Sequence, residues 1–129
     1  MRAEFSKKEK AMADFGVFLG FGFPVRGREE SAVKVFGELL AFLGAQAQQG
    51  NVESFEPGFL QPHGGDLSGF VLVRGERSKL DAMVASQEFL RLSTRAETIV
   101  ERFGVVNCVL GQELQRQMGA FLQDSADLR

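Results

Sequence analysis

The stretch whose reading decides the fold is Asn51–Gly75, NVESFEPGFLQPHGGDLSGFVLVRG. Two runs with strand character, Val52–Glu56 and Ser68–Arg74, flank a loop rich in Pro and Gly. Alternation places Phe55, Val71 and Val73 on one face, and Val52, Ser54, Glu56, Phe70, Leu72 and Arg74 on the other. The loop is too long for a two-residue turn, and Pro57, Gly58, Pro62, Gly64 and Gly65 are residues that bend a chain. Two nearby strands with so short a connection pair antiparallel. The chain's one histidine, His63, stands near the middle of the loop.

Working outward, Phe15–Val25 (FGVFLGFGFPV) alternates with period two. Phe15, Val17, Leu19, Phe21 and Phe23 are large and apolar, whereas Gly16, Gly20 and Gly22 are bare, with Phe18 between them. Repeated glycines on one face of a strand signal close approach of something to that face. They equally serve to relieve crowding among so many Phe rings. After Pro24 and Gly27 the spacing predicts a helix over Glu29–Gln49, with Ala32, Phe36, Leu39, Leu43 and Ala47 in line and Val33 and Leu40 beside them. Glu29 and Glu30 suit its first turn, and Gly50 is a stop signal.

Beyond the hairpin, Ser78 with Asp81 reads as a capping box before Leu80, Met83 and Val84. Ser86 recaps the chain before Phe89, Leu90, Leu92, Ala96, Ile99 and Val100, giving one broken helix or two short ones. Phe103–Leu110 is the fourth predicted strand, and Glu113–Leu122 a short terminal helix with Leu114, Met118, Phe121 and Leu122 on one side. Residues 1–14 read as an N-terminal extension, 15–122 as the folded domain and 123–129 as a frayed tail.

The order strand, helix, strand, strand, helix, strand is an α+β, ferredoxin-like βαββαβ arrangement. Right-handed crossovers put both helices on one face of a four-stranded antiparallel sheet. The other face then carries Phe18, Phe70 and Leu72, or else the bulky odd positions of the first strand. Either assignment is too apolar for a solvated face. A homodimer through the open sheet face is therefore expected, since a two-fold partner covers both copies at once.

Composition sets bounds on function. At 129 residues the chain is one domain long enough to build its own core. A formal net charge of -2, with both signs interspersed, leaves no basic footprint for nucleic acid and no polybasic membrane patch. The charged N-terminus has no signal-peptide character and no run of about 20 apolar residues occurs, so the cytoplasm is the expected location. Cys108 is the only cysteine and sits in the apolar run Val105–Leu110, where an inert buried thiol is expected. Thirteen Phe with no Tyr or Trp fill a core without a phenol or indole to orient a ligand.

With these elements in place the chain resembles the dimeric α/β-barrel superfamily, which includes antibiotic-biosynthesis-monooxygenase-like proteins. The resemblance spans about Phe15–Gly111 and rests on element order, on the turn Pro24-Val25-Arg26-Gly27-Arg28-Glu29-Glu30 and on the rhythm after Ser86. Glu53-Ser54-Phe55-Glu56-Pro57, with Pro62-His63-Gly64-Gly65-Asp66 and Gly69-Phe70, is similar to small uncharacterised bacterial members. The resemblance implies back-to-back sheets that can enclose a ligand cavity. It does not choose a reaction, because members include cofactor-free oxygenases, haem-degrading enzymes, isomerases and proteins without known activity. The haem-degrading branch uses a histidine on the second helix near a tryptophan, and this chain has neither.

Among candidate residues, His63 is the one available imidazole base, and PHGGD lets a ligand approach closely. The alternative is a loop histidine bonded to local backbone. Glu56, Arg74 and Asn107 are polar positions within strands and are the candidate ligand-binding residues, Arg74 for a carboxylate or enolate and Asn107 for a carbonyl. A cross-strand Glu56–Arg74 pair or an interface hydrogen bond explains them without a ligand. One histidine makes no metal site, even with Asp66 or Glu56 nearby, and Gly64-Gly65 enters a strand rather than a helix, so neither a metal nor a cofactor is assigned. Arg91 and Arg95 read as a solvated helix face. Three functions fit: a homodimeric module binding an apolar small molecule or a partner, a cofactor-independent monooxygenase or isomerase, and a purely structural dimer.

Overall fold

The computed structural model describes residues 13–129. The expected N-terminal extension, 1–14, lies outside the described residues except for its last two positions. The elements run β1 (Phe15–Phe21), α1 (Glu29–Gln48), β2 (Ser54–Phe59), β3 (Gly69–Gly75), α2 (Arg77–Val84), α3 (Gln87–Glu97), β4 (Gly104–Val109) and α4 (Gly111–Asp124), with a 3-10 turn at Ala126–Leu128. The four strands form one antiparallel sheet in the order β2-β3-β1-β4. This is the ferredoxin-like arrangement that the element order predicts.

Register decides what each sheet face presents. Val17 pairs with Val73 and Leu19 with Val71, and Phe55 of β2 pairs with Val73. These side chains face α1, α2 and α3, where Leu39, Phe42, Leu43, Leu80, Met83, Phe89 and Leu92 complete the core. Leu19 and Leu43 have no solvent-accessible surface at all, and burying each contributes roughly 1.5–3 kcal/mol. The opposite face carries Phe18, Phe70, Leu72 and Val106, with Leu72 paired to Phe18 and Phe18 to Val106. Of the two faces open to the first strand's bulky positions, the odd ones point inward and Phe18 points out.

Gly20 of β1 and Gly58 of β2 make room for rings. A Cβ on Gly20 would lie 2.9 Å from the ring of Phe18, and one on Gly58 would lie 2.7 Å from the ring of Phe70. Phe18 and Phe70 themselves stack with centroids 5.6 Å apart. Crowding relief thus accounts for Gly20, whereas Gly16 and Gly22 mark close approach, a Cβ on either lying 2.9 Å from a backbone oxygen, of Val73 and Glu101 respectively.

Several boundaries differ from the sequence reading. β2 begins at Ser54 and runs through Pro57 and Gly58 to Phe59. Proline is tolerated there because β2 is an edge strand, with one row of backbone groups facing away from the ladder. Val52 lies before the strand and is buried in the core. On α1 the buried positions are Val35, Leu39, Phe42 and Leu43, so the inward face is rotated and Val33 is exposed. The helix ends as expected at Gly50, whose φ is +80, with Gly50 N–H donating to Ala47 O and Asn51 N–H to Gln46 O. Ser78 is not a cap: α2 starts one residue earlier, with Glu76 at its N-cap. Ser86 does cap α3, accepting from Phe89 N–H at 3.2 Å while donating to Met83 O at 2.7 Å. Leu90 is exposed, α4 reaches Asp124, and the tail beyond it forms a turn rather than fraying.

β1 leaves the ladder at Phe21, short of the predicted Val25. Gly22 N–H donates to Glu101 O at 2.7 Å, Glu101 N–H to Phe23 O at 2.9 Å and Val25 N–H to Ile99 O at 2.8 Å. The chain therefore changes partner, from β3 and β4 to the segment after α3. Only glycine allows the crossing, since a Cβ at 22 would lie 2.9 Å from Glu101 O and 3.0 Å from Asp66 O. Both are backbone atoms. Gly22→Ala is expected to destabilise the fold by about 1–3 kcal/mol, read as a lower urea midpoint at constant m-value. An unchanged midpoint would mean that the two segments part without cost.

Among the described residues no helix is long and apolar enough to cross a membrane.

Candidate functional site: an apolar cavity at one end of the sheet

Where β1 turns away, the sheet and the helices separate and leave a cavity of about 800 Å³. Its floor is the sheet end at Phe21–Pro24 and Phe59, its walls are the first half of α1 and one face of α3 from Phe89 to Ala96, and its rim is the loop Leu60–Ser68. Gly69 lets two rings lie against the backbone at the floor's edge. It pairs with both Phe21 and Phe59, and a Cβ on it would lie 2.6 Å from the Phe21 ring and 2.9 Å from that of Phe59. Phe21, Phe36 and Phe59 then meet edge-on or tilted, with centroids 5.5 to 6.4 Å apart. Phe23, Phe89 and Phe103 also line the space, so six of the thirteen Phe converge here.

Among the described residues no Asp, Glu, Lys or Arg lines the cavity, and its polar side chains are Gln61, His63, Ser68 and Ser93. An ion would enter without a counter-charge, which is strongly unfavourable. An apolar, uncharged molecule would meet rings and aliphatic groups on most sides.

His63 stands at the rim, exposed to solvent. Its Nδ1 lies 2.9 Å from Gln61 O. A carbonyl only accepts, so Nδ1 carries the proton in this contact and Nε2 of the neutral ring keeps its lone pair. The ring rests on Gly65, where a Cβ would lie 2.7 Å from Nε2. The rim loop is tied at both ends, Leu60 N–H donating to Ser68 O at 2.9 Å and Ser68 N–H to Phe21 O at 2.8 Å. Arg102, held at a positive φ of +54, reaches Asp66 across 3.5 Å and links the loop to the turn before β4. Behind the cavity Arg95 forks onto Glu38 at 3.0 and 3.1 Å, joining α3 to α1. Arg95 is thus a helix-to-helix clamp rather than part of a solvated face, whereas Arg91 is exposed.

The other three candidates lie elsewhere. Glu56 and Arg74 are on the open sheet face, Glu56 paired with Leu72 and Arg74 with Gly16 and Ser54. Asn107 pairs with Val17, which places it on the helix side of the sheet. It lines a smaller hollow of about 280 Å³ with Arg77, Asp81 and Gln117. The structure therefore brings none of the three to His63, and separates Asn107 from Glu56 and Arg74. Cys108 is part-buried on the open side. Burial pushes its thiol up, Arg74 opposing weakly, so it stays protonated at neutral pH. Among the described residues no three His, Cys, Asp or Glu side chains gather as metal ligands.

Sequence reasoning named His63 but not the phenylalanines that wall the cavity it borders. The available signal was Gly69 between Phe59 and Phe70 at a loop-to-strand junction, a bare position among rings.

No family model and no curated protein matches the sequence. Solved structures do match in fold. A dimeric ferredoxin-like protein of unknown function from Bacteroides fragilis superposes with TM-score 0.55 at 9% identity, over 77% of this chain and 99% of that one. A dimeric ferredoxin-like protein of unknown function from Jannaschia sp. gives 0.54 at 16% identity, over 75% and 98%. A protein described as antibiotic biosynthesis monooxygenase gives 0.51 at 16% identity, over 75% and 96%. At such identities the shared property is the path of the chain: this protein has the ferredoxin-like α+β fold.

Proposed function

We propose that this chain is a cytoplasmic homodimer that binds one uncharged, mainly apolar small molecule per subunit in the cavity between the sheet end, α1 and α3. The observation that carries the reading is the cavity of about 800 Å³, walled by six Phe and lined by no charged side chain among the described residues. Ligand sites typically occupy about 300–1,000 Å³ with mostly apolar walls and a few polar groups. Two of the solved structures that share the fold are described as dimeric, and the apolar face of Phe18, Leu72 and Val106 supplies a surface for such a contact. An open cavity argues against a purely structural dimer whose interior is sealed by side chains.

The test is native mass spectrometry of freshly purified protein, followed by titration with N-phenyl-1-naphthylamine, an uncharged fluorescent probe. A dimer mass, a retained small molecule and saturable binding of one probe per chain are expected. Absence of both retained mass and saturable binding sinks the reading.

A second reading, cofactor-independent oxygenation or isomerisation of the bound molecule, is favoured by His63. It is the one proposed base at the rim, and its Nε2 lone pair is free of the Gln61 contact. The fold is shared with a protein described as a monooxygenase. His63→Ala separates the two readings. Retained probe binding with loss of conversion of the co-purified molecule supports catalysis through His63, and unchanged conversion removes His63 from it.

A further inference from the structure

α4 leaves the sheet at an angle that the chain holds firmly. Leu110 N–H donates to Asp14 O at 2.7 Å and Gln112 N–H to Asp14 Oδ1 at 3.2 Å. Between them Gly111 has a φ of +54, and a Cβ there would lie 2.8 Å from Asp14 Oδ1. Only glycine fits that elbow without strain. At the next turn Arg116 forks onto Glu113, at 2.6 to 3.1 Å, and holds its carboxyl below the usual carboxylate range. The helix is well formed, yet none of its residues is buried.

Its apolar residues are nonetheless ordered. Leu114, Met118, Phe121 and Leu122 fall at i, i+4, i+7 and i+8, one stripe of the helix. They are 45%, 59%, 71% and 57% exposed. Side chains of this size leave on the order of 400 Å² of apolar area uncovered, as much as the largest single patch on a typical monomer. That is about half of the ~800 Å² each partner gives to a stable interface. The stripe also continues an apolar surface. On the open face Val106 is 56% exposed, Cys108 follows, and Leu110 lies over Gly16 at the base of the helix. A lipid surface fits poorly, because α4 carries a single basic residue, Arg116, where membrane-surface helices have polar faces rich in Lys and Arg.

We propose that α4 is an arm that docks the stripe Leu114, Met118, Phe121 and Leu122 on a second copy of this chain. The inference rests on the homodimer reading and goes beyond it: the interface is the sheet face plus two exchanged helices, each held in position by its Gly111–Asp14 elbow.

The test uses the full chain in sedimentation velocity over a range of concentrations. Met118→Glu/Phe121→Glu puts two charges into the stripe, and Gly119→Glu/Gln123→Glu adds the same charge away from it, where a Cβ on Gly119 would meet nothing within 4 Å. Among the described residues none on α4 is buried, so both variants are expected to retain the monomer fold, checked by circular dichroism. The stripe variant is expected to raise the dimer dissociation constant at least ~30-fold, and the control less than ~3-fold. A dimeric wild type whose dissociation constant the stripe variant leaves unchanged overturns this proposal while sparing the homodimer. A wild type that is monomeric at every concentration overturns both. Wild-type binding to phosphatidylcholine–phosphatidylglycerol vesicles that the stripe variant loses, with no change in dimerisation, overturns it in favour of a lipid surface.

Discussion

Leu72→Lys is expected to convert the proposed dimer to a folded monomer. Leu72 lies mid-strand on the open face, between Phe18 of β1 and Glu56 of β2. In the monomer a lysine there meets the Glu56 carboxylate across the strands, a pairing that contributes a few tenths of a kcal/mol. In the dimer the same ammonium is pressed against an apolar partner surface. Burying a charge without full compensation costs several kcal/mol, and about 3 kcal/mol corresponds to a dissociation constant weakened by more than 100-fold. Light scattering coupled to size exclusion at micromolar concentration reads the mass directly. An unchanged dimer mass would mean that the open sheet face is not the contact.

The second large effect concerns the cavity. Ala96 lies on α3 and lines it, so Ala96→Trp sends an indole into the space a ligand would occupy. Tryptophan is tolerated in a helix at a cost of a few tenths of a kcal/mol relative to alanine, and the ring gains apolar contacts with the phenylalanines around it. The expected outcome is a fold of equal or greater thermal stability with N-phenyl-1-naphthylamine affinity reduced by roughly 10-fold to 100-fold, a loss of about 1.4–2.8 kcal/mol. Titration of wild type and variant side by side checks it. Undiminished affinity in a folded variant would place the probe site elsewhere and take the main support from the small-molecule reading. The variant also introduces the chain's only tryptophan, since the natural sequence has none, and so supplies a fluorescence reporter in the cavity itself.

Much of the architecture was legible because local and long-range signals agree. Period-two alternation in β1 and β3, helical spacing in α1, the Gly50 stop and the Ser86 cap all describe single elements, and their order admits few topologies. The misreadings came from contacts that no local pattern carries. Pro57 suggested a loop because its tolerance depends on β2 being at the edge, which is a property of the whole sheet. Ser78 looked like a cap by chemistry, but the helix begins one residue earlier. Arg95 looked solvated until α1 placed Glu38 opposite it. The candidate site was less legible. Polar residues within strands drew attention to Glu56, Arg74 and Asn107, and alternation alone could not tell which side of the sheet each would face once the register was set. His63 was conspicuous as the sole histidine. The cavity beside it opens where β1 departs from its ladder, a tertiary event that no local pattern carries.

The rings seated on bare backbone have a consequence for how this chain tolerates change. Phe18 with Gly20, Phe70 with Gly58, and Phe21 and Phe59 with Gly69 share the same volume from two directions. Each set is one unit of substitution: enlarging the glycine demands a smaller ring, and trimming the ring opens a void that only a larger residue at the glycine fills. Effects within a set are therefore non-additive. A sequence drifting away from this one would be expected to keep or replace each glycine and ring together, so that the total volume of the pair, rather than the identity of either member, is what descends.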